Sequence, residues 1–254
     1  MKVVFAGPSL PDSRSRDCGA PIEFRAPAAL GDLTKAVLEG ATVVGLVDGV
    51  FESVAAVWHK EILYALSQGV QVFGAASMGA LRAAECAPFG MIGVGTIFAA
   101  YASGELVDDD AVAQVHGPEE LDYVALSEPL VNIEATLDVL REKELITTDE
   151  GLLLRTTARK VFFKERTYEN ILAAALPSHR SADLAVSIGK YRRDLKGEEA
   201  RLLVARVVAT PDRRVAPPSH WQFQETLIWR QLLDRWKAEL LQRRFEAEST
   251  AAVA

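Results

Sequence analysis

Residues 70–85 read Val70-Gln-Val-Phe-Gly-Ala-Ala-Ser77-Met-Gly-Ala-Leu-Arg-Ala-Ala-Glu85. The apolar, partly β-branched run 70–73 predicts a buried strand. Gly74 ends it. Residues 80–85 are strong helix formers, and Ser77 stands where a helix N-cap would stand. A strand, a turn of small residues and a helix is one crossover unit of an open α/β sheet. It is also a way to hold a serine hydroxyl at the end of a sheet. The amides of Met78 and Gly79 would then face any negative charge forming beside that hydroxyl, helped by the helix N-terminus. The plainer reading is that Ser77 only caps the helix. Gly74 lies three residues before Ser77, so the stretch is not a G-x-S-x-G elbow.

Outward from this unit, the same grammar repeats. Strands are predicted at 2–6, 22–24 and 42–47, with helices at 28–39 and 53–66. The first strand runs into Gly7-Pro8-Ser9, and the third runs directly into Asp48-Gly49. Ligands of open sheets bind at strand C-termini, so Gly7, Ser9 and Asp48 are candidates to line a site. Asp48 as a simple turn cap is the alternative. Glu52 precedes the next helix, which carries His59 and Lys60. Residues 86–95 hold Pro88, Gly90, Gly93 and Gly95 and read as a loop. A short helix follows at 96–103. Further strands are expected at 111–115 and 121–126, which puts His116 at a strand end. Asp108, Asp109 and Asp110 are adjacent and would fan outward, so they read as a solvated turn rather than a metal site.

From 146 onward strand signals fade. Helices are predicted at 130–144, 152–164, 167–175, 181–194, 198–207 and 222–248. The expected organisation is an α/β core over 1–145, a mostly parallel open sheet of four or five strands with flanking helices. A helical C-terminal region over 146–254 follows it.

Composition sets bounds. The chain has 254 residues, 49% hydrophobic, and a net charge of −7. That charge is a poor basis for non-specific nucleic-acid binding. Its two cysteines, Cys18 and Cys86, have no metal-ligand spacing and fit a reducing, cytoplasmic setting. No apolar run reaches membrane-spanning length, and the apolar part of the N-terminus is too short for a signal peptide. No dinucleotide fingerprint, P-loop or H-E-x-x-H is present, so no cofactor and no metal is expected.

Locally, Ala75-Ala-Ser-Met-Gly-Ala80 is similar to the run around the nucleophile of Clp-type serine proteases. There the histidine follows the serine, in a His-x-Pro context that His116-Gly-Pro118 matches. More broadly, the stretches 5–10, 25–32, 44–52, 57–66, 74–85 and 108–118 together resemble the TfuA-like family. The resemblance implies a partner of YcaO-type enzymes, which activate peptide backbone amides with ATP. The pair is linked to backbone thioamide formation. The TfuA-like member would supply sulfur by hydrolysing the C-terminal thiocarboxylate of a ThiS-like carrier protein.

On that implication Ser77 attacks the terminal glycyl thiocarboxylate. His116 or His59 is the base, oriented by Asp48 or Glu52. The oxyanion rests on the amides of Met78 and Gly79, with Gly49. Arg82, Lys60 or Arg25 would attract the anionic substrate. Two other readings compete. One is a non-catalytic adaptor that activates the YcaO-type enzyme allosterically. The other is a binding domain for an anionic ligand at the Ser77 helix.

Overall fold

A computed structural model describes residues 1–11, 21–50 and 52–251. Cys18 falls outside them. Five strands form one sheet: β1 (Lys2–Phe5), β2 (Ile22–Arg25), β3 (Val43–Leu46), β4 (Gln71–Ala75) and β5 (Ile92–Val94). Their order is β2-β1-β3-β4-β5, and every neighbouring pair is parallel. The chain is thus the open parallel α/β sheet expected, with a helical C-terminal region. The order reverses between β1 and β3, which makes the C-terminal ends of those two strands the switch point where such sheets bind ligands.

All four residues of β1 and all four of β3 are buried, as strands covered on both faces require. Val3, Phe5, Val44, Leu46 and Val72 point to one face. That face is covered by α1 (Asp32–Leu38) and α2 (His59–Ser67). Val4, Val43 and Phe73 alternate to the other face, where Ala200, Leu203 and Val207 of α9 (Leu195–Ala209) meet them. Between these lie α3 (Met78–Cys86), α4 (Thr96–Ser103) and α5 (Leu130–Glu142). Next come α6 (Thr148–Lys160), α7 (Tyr168–Ala175) and α8 (Ser178–Tyr191). Helices α5 to α8 bury Ile133, Leu137, Leu154, Ile171 and Leu184 together in a second core. The last helix, α10 (Leu227–Ala251), lays Trp236 against Gly31 at the start of α1. No helix among the described residues is long and apolar enough to cross a membrane.

Four sequence expectations are corrected. Residues 111–115 form no strand; a 3-10 turn at Asp109–Ala111 leads into an extended loop. The backbone groups here bond within the turn, to residues 126 and 127, and to side chains. Arg166 donates to the Asp110 carbonyl (3.0 Å), Lys196 donates to the Val112 carbonyl (2.8 Å), and the Val115 amide donates to Ser127 Oγ (2.9 Å). Residues 121–126 are also not a strand, because Asp122 and Tyr123 both adopt left-handed backbone (φ 51° and 52°) and turn the chain. The fifth strand is instead 92–94, inside the stretch expected to be a loop. Gly93 belongs there because a side chain would strike the Phe98 ring at 2.2 Å. Helix α2 begins at His59, six residues later than expected, with the Glu61 carboxylate accepting from the Trp58 amide (3.2 Å).

Helix α6 shows how local sequence sets an end. Thr147 Oγ1 accepts from the Glu150 amide, and Glu150 accepts from the Thr147 amide, a capping box. Arg180 adds a two-pronged contact to the same carboxylate (2.7 and 2.9 Å). With Arg180 the larger cause and the Thr147 amide next, the Glu150 carboxyl is held down at about 2, from 4.5. A lowered folded pKa stabilises the fold above pH 4.5 and loses that contribution as pH falls toward 2. Glu150→Gln is therefore expected to cost about 1 kcal/mol at pH 7, a figure reduced for solvent screening. The gap from wild type should close between pH 4.5 and 2 in urea melts. An equal gap at pH 2.5 and pH 7 would refute this.

Candidate functional site

Strand β4 ends at Ala75, and the chain then turns within one residue. Ala76 has φ +65°, and the Ser77 amide donates back to the Ala75 carbonyl (2.8 Å). This is the γ-turn of the rarer hand, strained for a residue with a Cβ by about 1–2 kcal/mol. It delivers Ser77 to the N-cap of α3, yet the Ser77 side chain makes no capping hydrogen bond. Such backbone strain clusters at functional sites.

Two glycines let α3 start so close to the sheet. A Cβ on Gly79 would lie 1.8 Å from the Leu46 carbonyl oxygen, and one on Gly74 would lie 2.1 Å from the Gly79 carbonyl oxygen. The Gly79 amide, expected to face an oxyanion, donates instead to the Val47 carbonyl (3.0 Å). Among the described residues, the amides of Met78 and Gly49 have no acceptor. Gly49 packs against Met78, so close that a Cβ there would lie 2.7 Å from Met78 Cγ.

A cavity of about 570 Å³ opens at this point. It brings together Ser77, Met78, Asp48, Gly49, Glu52 and His116 of the residues singled out from the sequence. It does not include His59, Lys60 or Arg82. His59 and Arg82 both bind the Glu85 carboxylate (2.8 and 2.6 Å), and Arg82 also donates to the Val57 carbonyl. Lys60 lies over the Phe223 ring, and Arg25 pairs with Glu23 and Glu39.

Asp48 is 1% exposed. Its carboxylate accepts from the amides of Gly7 (2.8 Å) and Ser9 (3.0 Å) and from the Ser9 hydroxyl (2.7 Å). It thereby ties the end of β1 to the end of β3 across the switch point and builds the cavity floor. Glu52, with left-handed backbone, pairs with Lys164 (2.6 Å), another cavity residue. His116 Nδ1 lies 2.7 Å from the Gly117 carbonyl. Since a carbonyl only accepts, Nδ1 carries a proton, so the neutral tautomer of this ring has its lone pair on Nε2. The Tyr123 ring packs edge-on to the imidazole at 5.5 Å. Among the described residues, no cluster of three or more histidines, cysteines and acids suits a metal. Asp110 is instead bound by Arg166, which is 1% exposed.

The sequence reading did not single out one deeply buried charge of this cavity. Lys196, in the first turn of α9, lines the same cavity and is 2% exposed. Burial pushes its pKa below the usual lysine value, opposed by the charges of Asp48, Asp194 and Glu128. A single lysine after a helix cap carries no local sign that the fold will bury it; only the covering of the second sheet face by α9 does so.

The TfuA-like protein family model matches residues 48–167. The match begins at Asp48, takes in Ser77 and His116, and stops before Lys196. No curated protein matches the chain. Over this region, a little under half of the chain, the protein is similar to the TfuA-like family, whose setting is peptide backbone thioamidation alongside YcaO-type enzymes.

Proposed function

We propose that the chain supplies sulfur for that reaction by hydrolysing the C-terminal thiocarboxylate of a ThiS-like carrier protein. The observation that carries this reading is the Ser77 hydroxyl. It sits on a strained turn and makes no capping bond, and it shares a cavity with an imidazole whose Nδ1 is turned to the Gly117 carbonyl. The cavity volume falls in the range of small-ligand sites and suits a glycine tail.

Ser77 Oγ attacks the terminal carbonyl carbon as His116 Nε2 takes its proton. The oxyanion is met by the free amides of Met78 and Gly49 and by the α3 N-terminus. Each such donor is worth roughly 3–4 kcal/mol of barrier. Water then hydrolyses the ester on Ser77. Asp48 does not orient the imidazole in this scheme; its role is to fix the Gly7–Ser9 loop.

The test follows the intact mass of a thiocarboxylated ThiS-like carrier incubated with the chain. Conversion to carboxylate with release of sulfide is expected. No conversion, with or without the YcaO-type enzyme, would leave the adaptor reading. That reading draws on α10, which exposes Leu227, Ile228, Leu241 and Phe245.

A further inference from the structure

We propose that Lys196 is a catalytic residue of the Ser77 cavity: its Nζ receives the anionic terminus of the substrate and gives the departing sulfur its proton. The sulfur part rests on the hydrolase reading above; the anion-receiving part stands on the structure of the cavity.

The placement of Lys196 is fixed before its side chain begins. Its amide donates to Asn132 Oδ1 (3.0 Å), and Asn132 Nδ2 donates to Asp194 Oδ1 (3.0 Å). Asp194 in turn caps α9 through the Gly197 amide (3.0 Å). The side chain then crosses the core to the Val112 carbonyl, the one acceptor of Nζ among the described residues. An ammonium has three protons to donate, and here two remain. No carboxylate of the described residues forms an ion pair with Nζ, although Asp48, Asp194 and Glu128 are near enough to act on it through space. A buried ammonium left with spare donors on a cavity wall is poorly solvated, and an anion in that cavity relieves it. The wall is shared with Ser77 and His116. A carboxylate-like group held there is therefore presented to the hydroxyl.

The chemistry also needs this group. Attack by Ser77 on a thiocarboxylate yields an intermediate whose sulfur cannot leave as a bare dianion. The Ser77 proton passes to His116 Nε2. The C–S bond then breaks with its electron pair on sulfur, which takes a proton from Lys196 Nζ and leaves as hydrosulfide. The acyl group remains as an ester on Ser77 Oγ. In the second half, water attacks the ester and gives one proton to neutral Lys196. His116 returns its proton to Ser77, and the carboxylic acid product ionises to solvent. Thiocarboxylate and water become carboxylate, hydrosulfide and a proton. Burial makes the ammonium give up its proton more readily than a free lysine, which favours the first half.

The alternative is that Lys196 only anchors the 112–116 loop. The two separate on charge preference. The probe is a ThiS-like carrier ending in an unreactive carboxylate, compared with the same carrier ending in a carboxamide. Wild type is expected to bind the carboxylate form at least tenfold more tightly by calorimetry. Lys196→Met should bind both forms alike and release sulfide from the thiocarboxylate at least a hundredfold more slowly. Should Lys196→Met lack a cooperative melt, Lys196→Gln takes its place, since it keeps a donor for Val112 without the charge. A preference that survives the substitution, or unchanged sulfide release, overturns the proposal while wild-type conversion leaves the hydrolase reading standing. A wild type that prefers the carboxylate through Lys196 but converts no thiocarboxylate supports the anion site and removes the hydrolase reading.

Discussion

Ser77→Ala is expected to slow carrier conversion by about a thousandfold or more while leaving the melting temperature within about 2 °C of wild type. The two halves of this result come from one observation. An N-cap serine that bonds the helix amides loses roughly 1 kcal/mol when replaced by alanine. Ser77 occupies the N-cap but makes no such bond, so its removal orphans no amide that the hydroxyl had satisfied. The nucleophile, by contrast, has no substitute, because the amides and the base act only on what it has attacked. A capping role gives the opposite signature: a measurable loss of stability and little change in rate. Thermal melts and intact-mass kinetics on one preparation separate them. His59→Ala is the internal control. His59 binds Glu85 outside the cavity, so its loss should change the rate by less than twofold.

What the sequence made legible was the part of the site built from local signals. The apolar runs ending at Phe5, Leu46 and Ala75 stop at Gly7, at Asp48-Gly49 and at the Ser77 turn, and parallel strands place those three stops side by side. What stayed hidden depends on distant partners. Residues 111–115 look like a strand because the run is apolar. The Val112 carbonyl is claimed by Lys196 and the Val115 amide by Ser127, while Arg166 holds the preceding Asp110, and no local pattern announces these partners. His116 reaches the cavity along this loop rather than from a strand end. Strand β5 was hidden by Gly93, whose missing side chain is a demand of Phe98 above it. Lys196 was hidden for the same reason: its burial is decided by where α9 lies on the sheet.

Gly79→Ala pits two physical effects against each other, and the larger one fixes the sign. Alanine is the better helix former by about 1 kcal/mol, so propensity alone favours the variant. A Cβ at this position, however, would lie 1.8 Å from the Leu46 carbonyl oxygen and 2.6 Å from its carbon. Those are backbone atoms of the central sheet, and no rotamer change moves them aside. The first turn of α3 must lift away from β3, losing the bond from the Gly79 amide to Val47 and the contact of Gly74 with the Gly79 carbonyl. Overpacking of this kind costs about 3 kcal/mol. Net of the propensity gain, about 2 kcal/mol is lost, which for a chain of this size lowers the melting temperature by roughly 4–8 °C. The displaced turn carries Ser77 and the Met78 amide. A misplacement of about 1 Å at a reacting group costs on the order of a hundredfold in rate. Gly79→Ala should therefore be both less stable and slower, whereas Ser77→Ala is only slower. An unchanged or raised melting temperature for Gly79→Ala would show that α3 does not sit on β3 as described, and the free Met78 amide would lose its place in the mechanism with it.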